Sequence, residues 1–326
     1  MKLLKELGFL IQIQKVSKVL KKLESRKIMN DALNEVLKGA IDLHAHTGPS
    51  IFPRLYDSID LAIEAKEAGM RGITLKNHHG ITSDRATLVS KAVPGIDVFG
   101  GVVLNRYSGG INPFSVEAAI RMGGKIVWFP TQWAKHHIKI YGAPEYAHNA
   151  MKVKVQYGKK GVEGISIFDT NGNLTPETLD VLQLVKENDI AIGSGHLSKD
   201  EIVALFKKGK EMGIKKMFLN HVTDSELWTW TASEQRELVN LGAFIEQVAI
   251  YIHPNRCLTT PEKVAEMIGW VGPKNILISS DCGTIIGPTS VQGLQTLVKK
   301  LLELGITRQD IDLMTKKNPA IILGLT

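Results

Sequence analysis

The chain has 326 residues, of which 44% are hydrophobic and 22% charged, and this composition is that of a globular protein and excludes a disordered or fibrous one. Its two cysteines, Cys257 and Cys282, exclude a disulfide framework and suit a reducing compartment, so we expect a cytoplasmic protein. No apolar run reaches the length of a membrane span, and the opening MKLLKELGFLIQIQ is not followed by the cleavage site of a signal peptide.

The net charge of +7 is concentrated in the first part of the chain. Residues 1–38 contain nine Lys or Arg and four acids, which leaves a charge of +2 for the rest. Apolar residues recur there at spacings of three and four, which predicts an amphipathic helical arm. We expect this arm to pack on the body or on a second subunit of a homo-oligomer, and contact with an anionic membrane surface is the alternative. Nothing in the sequence indicates nucleic-acid binding.

Eight short apolar segments after the arm predict β-strands. They are AIDLHAH (40–46), GITLKNHH (72–79), IDVFGGVVLN (96–105), KIVWFPT (125–131), IAIGSGH (190–196), KMFLNHV (216–222), AFIEQVA (243–249) and ILISSD (276–281). Helical patterns lie between most of them, and the capping boxes SKDE (198–201) and TASE (231–234) mark two helix starts. Strands that alternate with helices predict an α/β fold with parallel pairing. Eight such units predict a (β/α)8 TIM barrel over residues 39–326, and an open doubly wound sheet is the alternative.

About sixty residues separate the fourth and fifth predicted strands, which is too many for one crossover helix. Within them, KVKVQY (152–157), GKKG (158–161) and EGISIF (163–168) predict a hairpin. Thr175 and Pro176 then have the pattern of a helix start. We therefore expect residues 134–189 to form an insertion, or flap, near the barrel mouth.

Five side chains with metal-binding groups stand at the carboxyl ends of predicted strands. They are His44, His46, His196, His221 and Asp281. In a barrel these strand ends meet at one mouth, so the five groups should converge. Imidazole nitrogen together with carboxylate oxygen suits Zn, Mn, Fe or Ni. A coordination position left open for water would make such a site catalytic.

This ordered set resembles the amidohydrolase superfamily, from about residue 40 to the C terminus. The matching elements are the H-x-H pair on the first strand, His196, His221, Asp281 and the closing segment NPAIILGL (318–325). The resemblance implies a metal-dependent hydrolase with one or two divalent ions, of which Zn is the first expectation. It also implies that His44 and His46 bind the more buried ion. His196 and His221 would hold a second ion, and Asp281 would be both a ligand and the proton carrier.

The fourth predicted strand departs from the pattern of that superfamily. It ends in WFPTQW and lacks the lysine or acid that bridges the ions in binuclear members. We expect a carboxylated Lys76, at the end of the second strand, to replace it, because a plain ammonium would repel metal ions. Two alternatives stay open: Lys76 contacts a substrate carboxylate or phosphate, or the site is mononuclear, as in decarboxylase-like members.

The ligand set predicts an enzyme in which a metal lowers the pKa of bound water to about 7. We expect it to cleave an amide, cyclic amide, lactone or ester bond of a small molecule, with Asp281 moving the proton. From position alone, we expect substrate contacts from His78, Thr131, Gln132, His137 and Glu246. The alternatives are a decarboxylase or phosphoesterase of the same superfamily and a non-catalytic metal-binding barrel.

Overall fold

The computed structural model describes residues 34–142 and 163–325. Its strands are β1 (Ile41–His46), β2 (Gly72–Lys76), β3 (Asp97–Phe99), β4 (Gly101–Val103), β5 (Ile126–Trp128), β6 (Ala191–Gly193), β7 (Met217–Leu219), β8 (Ala243–Val248) and β9 (Ile276–Ser279). Its helices are α1 (Ser58–Glu67), α2 (Ser83–Ala92), α3 (Pro113–Arg121), α4 (Lys135–Tyr141), α5 (Pro176–Glu187), α6 (Lys199–Met212), α7 (Ala232–Asn240), α8 (Pro261–Val271), α9 (Ser290–Glu303), α10 (Arg308–Asp312) and α11 (Asn318–Leu323).

The strands pair in parallel and in chain order. β1, β2 and β3 form one run, and β4 to β9 form the other. β3 and β4 share one strand position that is interrupted at Gly100, so the third predicted strand is split in two. At the seam between the last and first strands, Asp281 N donates to His44 O at 2.7 Å and His46 N donates to Cys282 O at 2.9 Å. The predicted (β/α)8 barrel is therefore confirmed, with eight strand positions.

A bulge in β1 decides which of its side chains face the barrel interior. Asp42 pairs with Ile73 and Ala45 pairs with Leu75, so two residues of β1 stand opposite one residue of β2. Leu43 packs with the apolar side chains inside the barrel, whereas Ala45 packs with the surrounding helices. The extra residue keeps the two histidines of β1 on the interior side after Leu43.

The lower part of the barrel interior is filled with apolar side chains. They include Ile41, Leu43, Val103, Ile126, Trp128, Phe218 and Leu277. The C-terminal helix α11 adds Ala320, Ile322 and Leu323 to this cluster. Asn318 Nδ2 donates to the carbonyl of Ile276, the first residue of β9, at 2.6 Å. Helix α11 therefore closes the end of the barrel where the strands begin, and leaves the other end for the site.

The predicted helix starts are confirmed by their caps. Ser198 and Thr231 form capping boxes with Glu201 and Glu234 at the starts of α6 and α7. Thr175 accepts a hydrogen bond from the backbone of Thr178 and begins α5. These local signals hold because a cap depends on residues only three apart.

The predicted arm and insertion are described only in part. Residues 1–33 and 143–162, which include most of the predicted hairpin and its turn, lie outside the described residues. Residues 163–168 do not form the predicted strand: Ile165 and Phe168 make isolated bridges to Ala134 and Leu174. The segment is tied to the loop after β5 instead, where Lys135 N donates to Ile165 O at 2.8 Å. The division into arm, barrel and insertion stays a prediction.

The described residues contain no helix with the length and apolar character needed to cross a bilayer.

Candidate metal centre

Two histidines of β1 and the aspartate after β9 meet at the barrel mouth. Asp281 Oδ1 lies 3.0 Å from His44 Nε2 and 3.0 Å from His46 Nε2. The ligand atoms of the three residues all lie within 4.8 Å of one another. Both imidazoles are buried, whereas the Asp281 side chain is 14% exposed and faces the cavity described below. Two ring nitrogens and a carboxylate oxygen that converge in this way fit one divalent ion.

The groups behind the β1 histidines set their tautomers. His44 Nδ1 lies 3.2 Å from each carboxylate oxygen of Glu246. His46 Nδ1 lies 3.0 Å from the carbonyl oxygen of Lys76. Since these partners accept, each Nδ1–H can donate to them, and with an ion bound each Nε2 would offer its lone pair to the centre. This is the tautomer that a metal ligand requires.

Glu246 lies beneath the centre and does not face the cavity. Its Oε2 accepts hydrogen bonds from Asn220 Nδ2 and from the backbone N–H of His221, both at 3.0 Å. Burial alone would raise the pKa of this carboxyl, but His44 and these hydrogen bonds lower it to about 2. The Glu246 side chain is fully buried behind His44, and its predicted substrate contact stays a prediction.

His196 and His221 form a second group next to the first. Their Nε2 atoms lie 3.1 Å apart, and the ring centroids of His221 and His44 are 6.0 Å apart. Trp228 stacks on His221 with a centroid separation of 5.8 Å. Burial lowers the pKa of His221 to about 3, so its imidazole is neutral. Two neutral ring nitrogens that face each other at this distance fit a second ion between them.

Two of the five converging residues have a strained backbone. His221 has a φ of 28° and Asp281 a φ of 49°, in the left-handed region that residues with a Cβ rarely adopt. Such a conformation costs on the order of 1–3 kcal/mol and persists where the surroundings impose it. Strain at the ends of β7 and β9 is consistent with a functional role for both side chains.

Lys76 lies at the same point as the first group of ligands. Its side chain is buried, and Nζ lies 2.9 Å from His44 Nε2. Burial lowers the pKa of this amine to about 8, so a neutral form is accessible near physiological pH. Lys76 therefore lies beside the histidines, and its role as a carboxylated bridge stays a prediction.

A cavity that is partly open to solvent lies above these side chains. Its described lining consists of His46, Phe52, Pro53, Arg54, Lys76, His78, His196, His221, Ile250, Tyr251, Arg256, Asp281, Thr284, Ile285 and Ile286. His78 lies in this lining and stacks on His46 with ring centroids 4.8 Å apart, and its substrate contact stays a prediction.

Three other residues with predicted substrate contacts lie outside the described lining. Thr131, Gln132 and His137 are fully buried. Thr131 Oγ1 lies 2.9 Å from His78 Nδ1, and His137 Nδ1 lies 2.9 Å from His196 Nδ1. Direct substrate contact by these three residues stays a prediction.

Arg54, Tyr251 and Arg256 line the cavity and were missed from the sequence. Arg54 lies in the loop after β1, and the other two lie after β8. Their only sequence signal is their place in loops that follow strands, which in a barrel are the loops at the mouth.

The chain is a parallel (β/α)8 barrel with these groups at its strand ends, and solved structures of several hydrolases share its fold. It is similar to the probable dipeptidase PvdM from Pseudomonas aeruginosa, with 12% identity, a TM-score of 0.61 and coverage of 91% of this chain and 98% of that one. It is also similar to an organophosphorus hydrolase from Deinococcus radiodurans, with 14% identity, a TM-score of 0.55 and coverage of 89% and 94%. An amidohydrolase from Pseudomonas aeruginosa shares 10% identity, with a TM-score of 0.54 and coverage of 90% and 99%.

Residues 39–246 match the family described as "Family of unknown function (DUF6282)", and the chain belongs to this family. A search of curated proteins gives no match. The likeness to solved structures confirms the expected barrel fold.

Proposed function

We propose that the protein is a metal-dependent hydrolase of a small molecule. The observation that carries this proposal is the convergence of four imidazoles and one carboxylate at the base of a cavity. The fold, which is shared with structures named as a dipeptidase, an amidohydrolase and an organophosphorus hydrolase, supports it. Zn is the ion that we propose first, and Mn, Fe and Ni suit the same donors.

We propose a place for one or two ions among the described residues. His44, His46 and Asp281 would hold the first ion, and His196 and His221 would hold the second. An ion bound there supplies a water of lowered pKa and polarises the scissile carbonyl or phosphoryl oxygen. Glu246 keeps His44 oriented, since its carboxylate holds the Nδ1–H of that ring.

We propose that Asp281 moves the proton. Its side chain reaches both β1 histidines and also faces the cavity, where a substrate would lie. Its carboxylate would accept a proton from water and then donate it to the leaving group. We propose an amide, cyclic amide, lactone or ester as the bond that is cleaved.

Lys76 would bridge the two groups as a carboxylated lysine. In this modification the neutral Nζ forms a bond to the carbon of CO2 and loses one proton, which leaves an anionic carbamate. The lowered pKa of the buried amine favours the neutral form that reacts. The product would replace a positive charge, 2.9 Å from His44 Nε2, with a negative one that can bind cations.

A mononuclear enzyme is the second candidate. His44, His46 and Asp281 are the one compact group of three ligands found among the described residues. The end of β5 adds no acid, since Thr131 and Gln132 stand there. If Lys76 stays an amine, one ion remains, and a decarboxylase or phosphoesterase reaction suits such a site.

Elemental analysis together with an activity screen tests the proposed function. Purified protein should contain one or two first-row transition ions per chain and should hydrolyse a member of a panel of lactones, hydantoins, N-acyl amino acids, esters and phosphodiesters. His44→Ala should lose most of the metal and the activity. His253→Ala, which changes a histidine outside the described cavity lining, is the matched control and should keep both. Full metal occupancy in His44→Ala, or metal-loaded protein that hydrolyses nothing in the panel, would overturn the proposal.

A cytoplasmic location and a homo-oligomer, with the basic arm as a contact, stay predictions.

A further inference from the structure

The two histidines that would hold the second ion differ in what contacts their outer ring nitrogen. The Nε2 atoms of His196 and His221 face each other, which leaves Nδ1 of each ring for a contact with the protein. Trp228 stacks on the His221 ring, and no described residue makes a hydrogen bond with His221 Nδ1. The Nδ1 atom of His196, in contrast, lies against a side chain from another element.

That side chain is His137, on helix α4. The Nδ1 atoms of His137 and His196 lie 2.9 Å apart, and their ring centroids are 4.9 Å apart. Both side chains are buried. When both rings are neutral, one Nδ1 carries a proton at this distance and the other accepts it. The pair therefore has two hydrogen-bonded arrangements, which differ in the tautomer of His196.

Only one of these arrangements lets His196 bind an ion through Nε2. If His196 Nδ1–H is the donor, its Nε2 keeps a lone pair, and His137 carries its own proton on Nε2. If His137 Nδ1–H is the donor, the proton of His196 is on Nε2, which then cannot bind an ion. An ion at His196 Nε2 therefore requires His137 Nδ1 to be the acceptor.

Helix α4 holds the His137 ring against His196. The ring of Tyr141, one helical turn later, lies 4.5 Å from the His137 ring between centroids. The Tyr141 hydroxyl donates to Glu226 Oε2 at 2.6 Å, which ties α4 to the loop after β7. That loop also carries Trp228, which stacks on the other histidine of the pair. Helix α4 and the histidine pair are therefore held in one connected structure.

We propose that His137 is a positioning residue for the second ion: its Nδ1 accepts the Nδ1–H of His196 and so directs His196 Nε2 to the ion. The inference rests on the two-ion form of the proposed function, because it needs an ion at His196 and His221. His137 would do for His196 what the Glu246 carboxylate does for His44. The loop after β5 would then take part in the metal centre without supplying a ligand.

Titration of Zn against a chelator of known affinity tests this without requiring turnover. The unchanged protein should bind two ions per chain, and His196→Ala identifies the binding constant that belongs to the second ion. His137→Phe keeps a ring but has no acceptor, so the second ion should bind about 10–100-fold more weakly while the first binds as before. His137→Asn offers a carbonyl oxygen near the position of Nδ1 and should recover most of the affinity.

His136→Phe is the matched control on the same helix. His136 Nε2 lies 3.0 Å from the carbonyl oxygen of Leu227, and its ring stacks on Trp228. Phenylalanine at this position removes a contact of α4 but leaves the one between His137 and His196. Both ions should therefore bind to this variant as they do to the unchanged protein.

NMR of the Zn-loaded protein with nitrogen-labelled histidine measures the tautomers directly. His196 should carry its proton on Nδ1 and His137 on Nε2. A role of His137 in packing alone would not require this arrangement, so the measurement separates positioning from stability.

Three results would overturn the inference. They are equal affinity of His137→Phe and the unchanged protein for the second ion, a His137 ring protonated at Nδ1 in the Zn-loaded protein, and an equal loss of affinity in His136→Phe. An unchanged protein that binds one ion would contradict both this inference and the two-ion form of the proposed function. Two ions bound in a His137-dependent manner, by a protein that hydrolyses nothing in the panel, would contradict the proposed function alone.

Discussion

The Nδ1 atom of each β1 histidine lies next to one acceptor group. A hydrogen bond to that acceptor leaves Nε2 as the nitrogen that can bind an ion. For His44 the acceptor is the carboxylate of Glu246, and for His46 it is a backbone carbonyl. A side-chain acceptor can be altered by mutation, whereas a carbonyl cannot. Glu246 is therefore the place where the tautomer of a ligand can be tested.

Glu246→Gln should weaken metal binding by about 10–100-fold, because the neutral amide holds the Nδ1–H of His44 less firmly and removes a negative charge beneath the ion. The measurement is the dissociation constant for Zn, by competition with a chelator of known affinity. Glu237→Gln changes an exposed glutamate and serves as control. Equal affinity in the Glu246 variant would show that the carboxylate does not orient the ligand.

Asp281→Asn should remove turnover far more than metal. An amide oxygen can still bind the ion, but it cannot accept a proton, and loss of a general base typically costs about 10²–10⁴-fold in rate. The kcat and the metal content of Asp281→Asn are compared with those of the unchanged protein, with the substrate that the activity screen finds. Near-normal turnover in this variant would exclude Asp281 as the proton carrier.

Lys76→Ala should lose one ion per chain and most activity, because the carbamate would be the bridge between the two groups. Adding a short carboxylic acid such as propionate should restore part of both, since its carboxylate can occupy the emptied space. Lys91→Ala, in α2, is a control that leaves the centre intact. An unmodified amine in the electron density of metal-loaded crystals would favour the mononuclear alternative.

Among the elements, β1 shows what sequence patterns can and cannot predict. Residues two apart on a strand point to the same face, and His44 and His46 both face the barrel mouth. The bulge before them was not predicted, because it depends on how Asp42 and Ala45 pair with β2, not on the residues of β1 itself. Helix caps were predicted well because they are local.

Contacts between elements that are far apart in the sequence account for the remaining differences between the predicted and the observed structure. Glu246 lies behind His44 because β8 brings it beside Asn220 and beneath the first strand. A repeat pattern along the sequence cannot predict this contact, because the residues belong to different strands. The third predicted strand reads as one apolar run, yet it divides at Gly100 between partners β2 and β5. The lining residues Arg54 and Arg256 stand in loops, which have no periodic pattern at all.

Asp42 links β1 to the segment after β9 and gives a test of that seam. Its Oδ1 accepts from the backbone N–H groups of His44 and Ser280, each at 3.0 Å, and its Oδ2 accepts from the hydroxyl of Ser290. Asp42→Ala should lower the free energy of unfolding by roughly 2–5 kcal/mol, because buried donors lose their acceptor.

Asp42→Asn is the matched comparison for this seam, measured by urea unfolding. The amide keeps an acceptor oxygen, and it replaces a carboxyl whose pKa is raised by burial. The free energy of unfolding should therefore fall clearly less than in the alanine variant. Equal stability of the alanine variant and the unchanged protein would mean that Asp42 does not hold the seam.

For the whole molecule, the apolar interior and the metal centre occupy opposite ends of the barrel, so fold and metal binding should be separable. Metal-free protein should stay folded, because neither helix α11 nor the apolar side chains inside the barrel include a metal ligand. An ion at a free concentration of 100 times its Kd should add about 2.7 kcal/mol to the free energy of unfolding. For 326 residues, this corresponds to an increase in Tm of roughly 4 °C.

Thermal unfolding with and without Zn measures this increase. His44→Ala should show little of it while keeping the Tm of the metal-free protein within a few degrees. A metal-free protein without cooperative unfolding would show instead that the ion is needed for folding.

The seam between β9 and β1 has a consequence for biosynthesis. Ser280 and His44 are hydrogen-bonded although 236 residues separate them, and Asp281 completes the group that begins with His44. During translation, the early histidines leave the ribosome long before the last strand exists. A nascent chain therefore lacks the complete three-residue group, and metal uptake at that group has to follow closure of the barrel. The ion would then load only onto chains whose synthesis has passed the eighth strand position, which protects a half-made protein from trapping metal in an incomplete site.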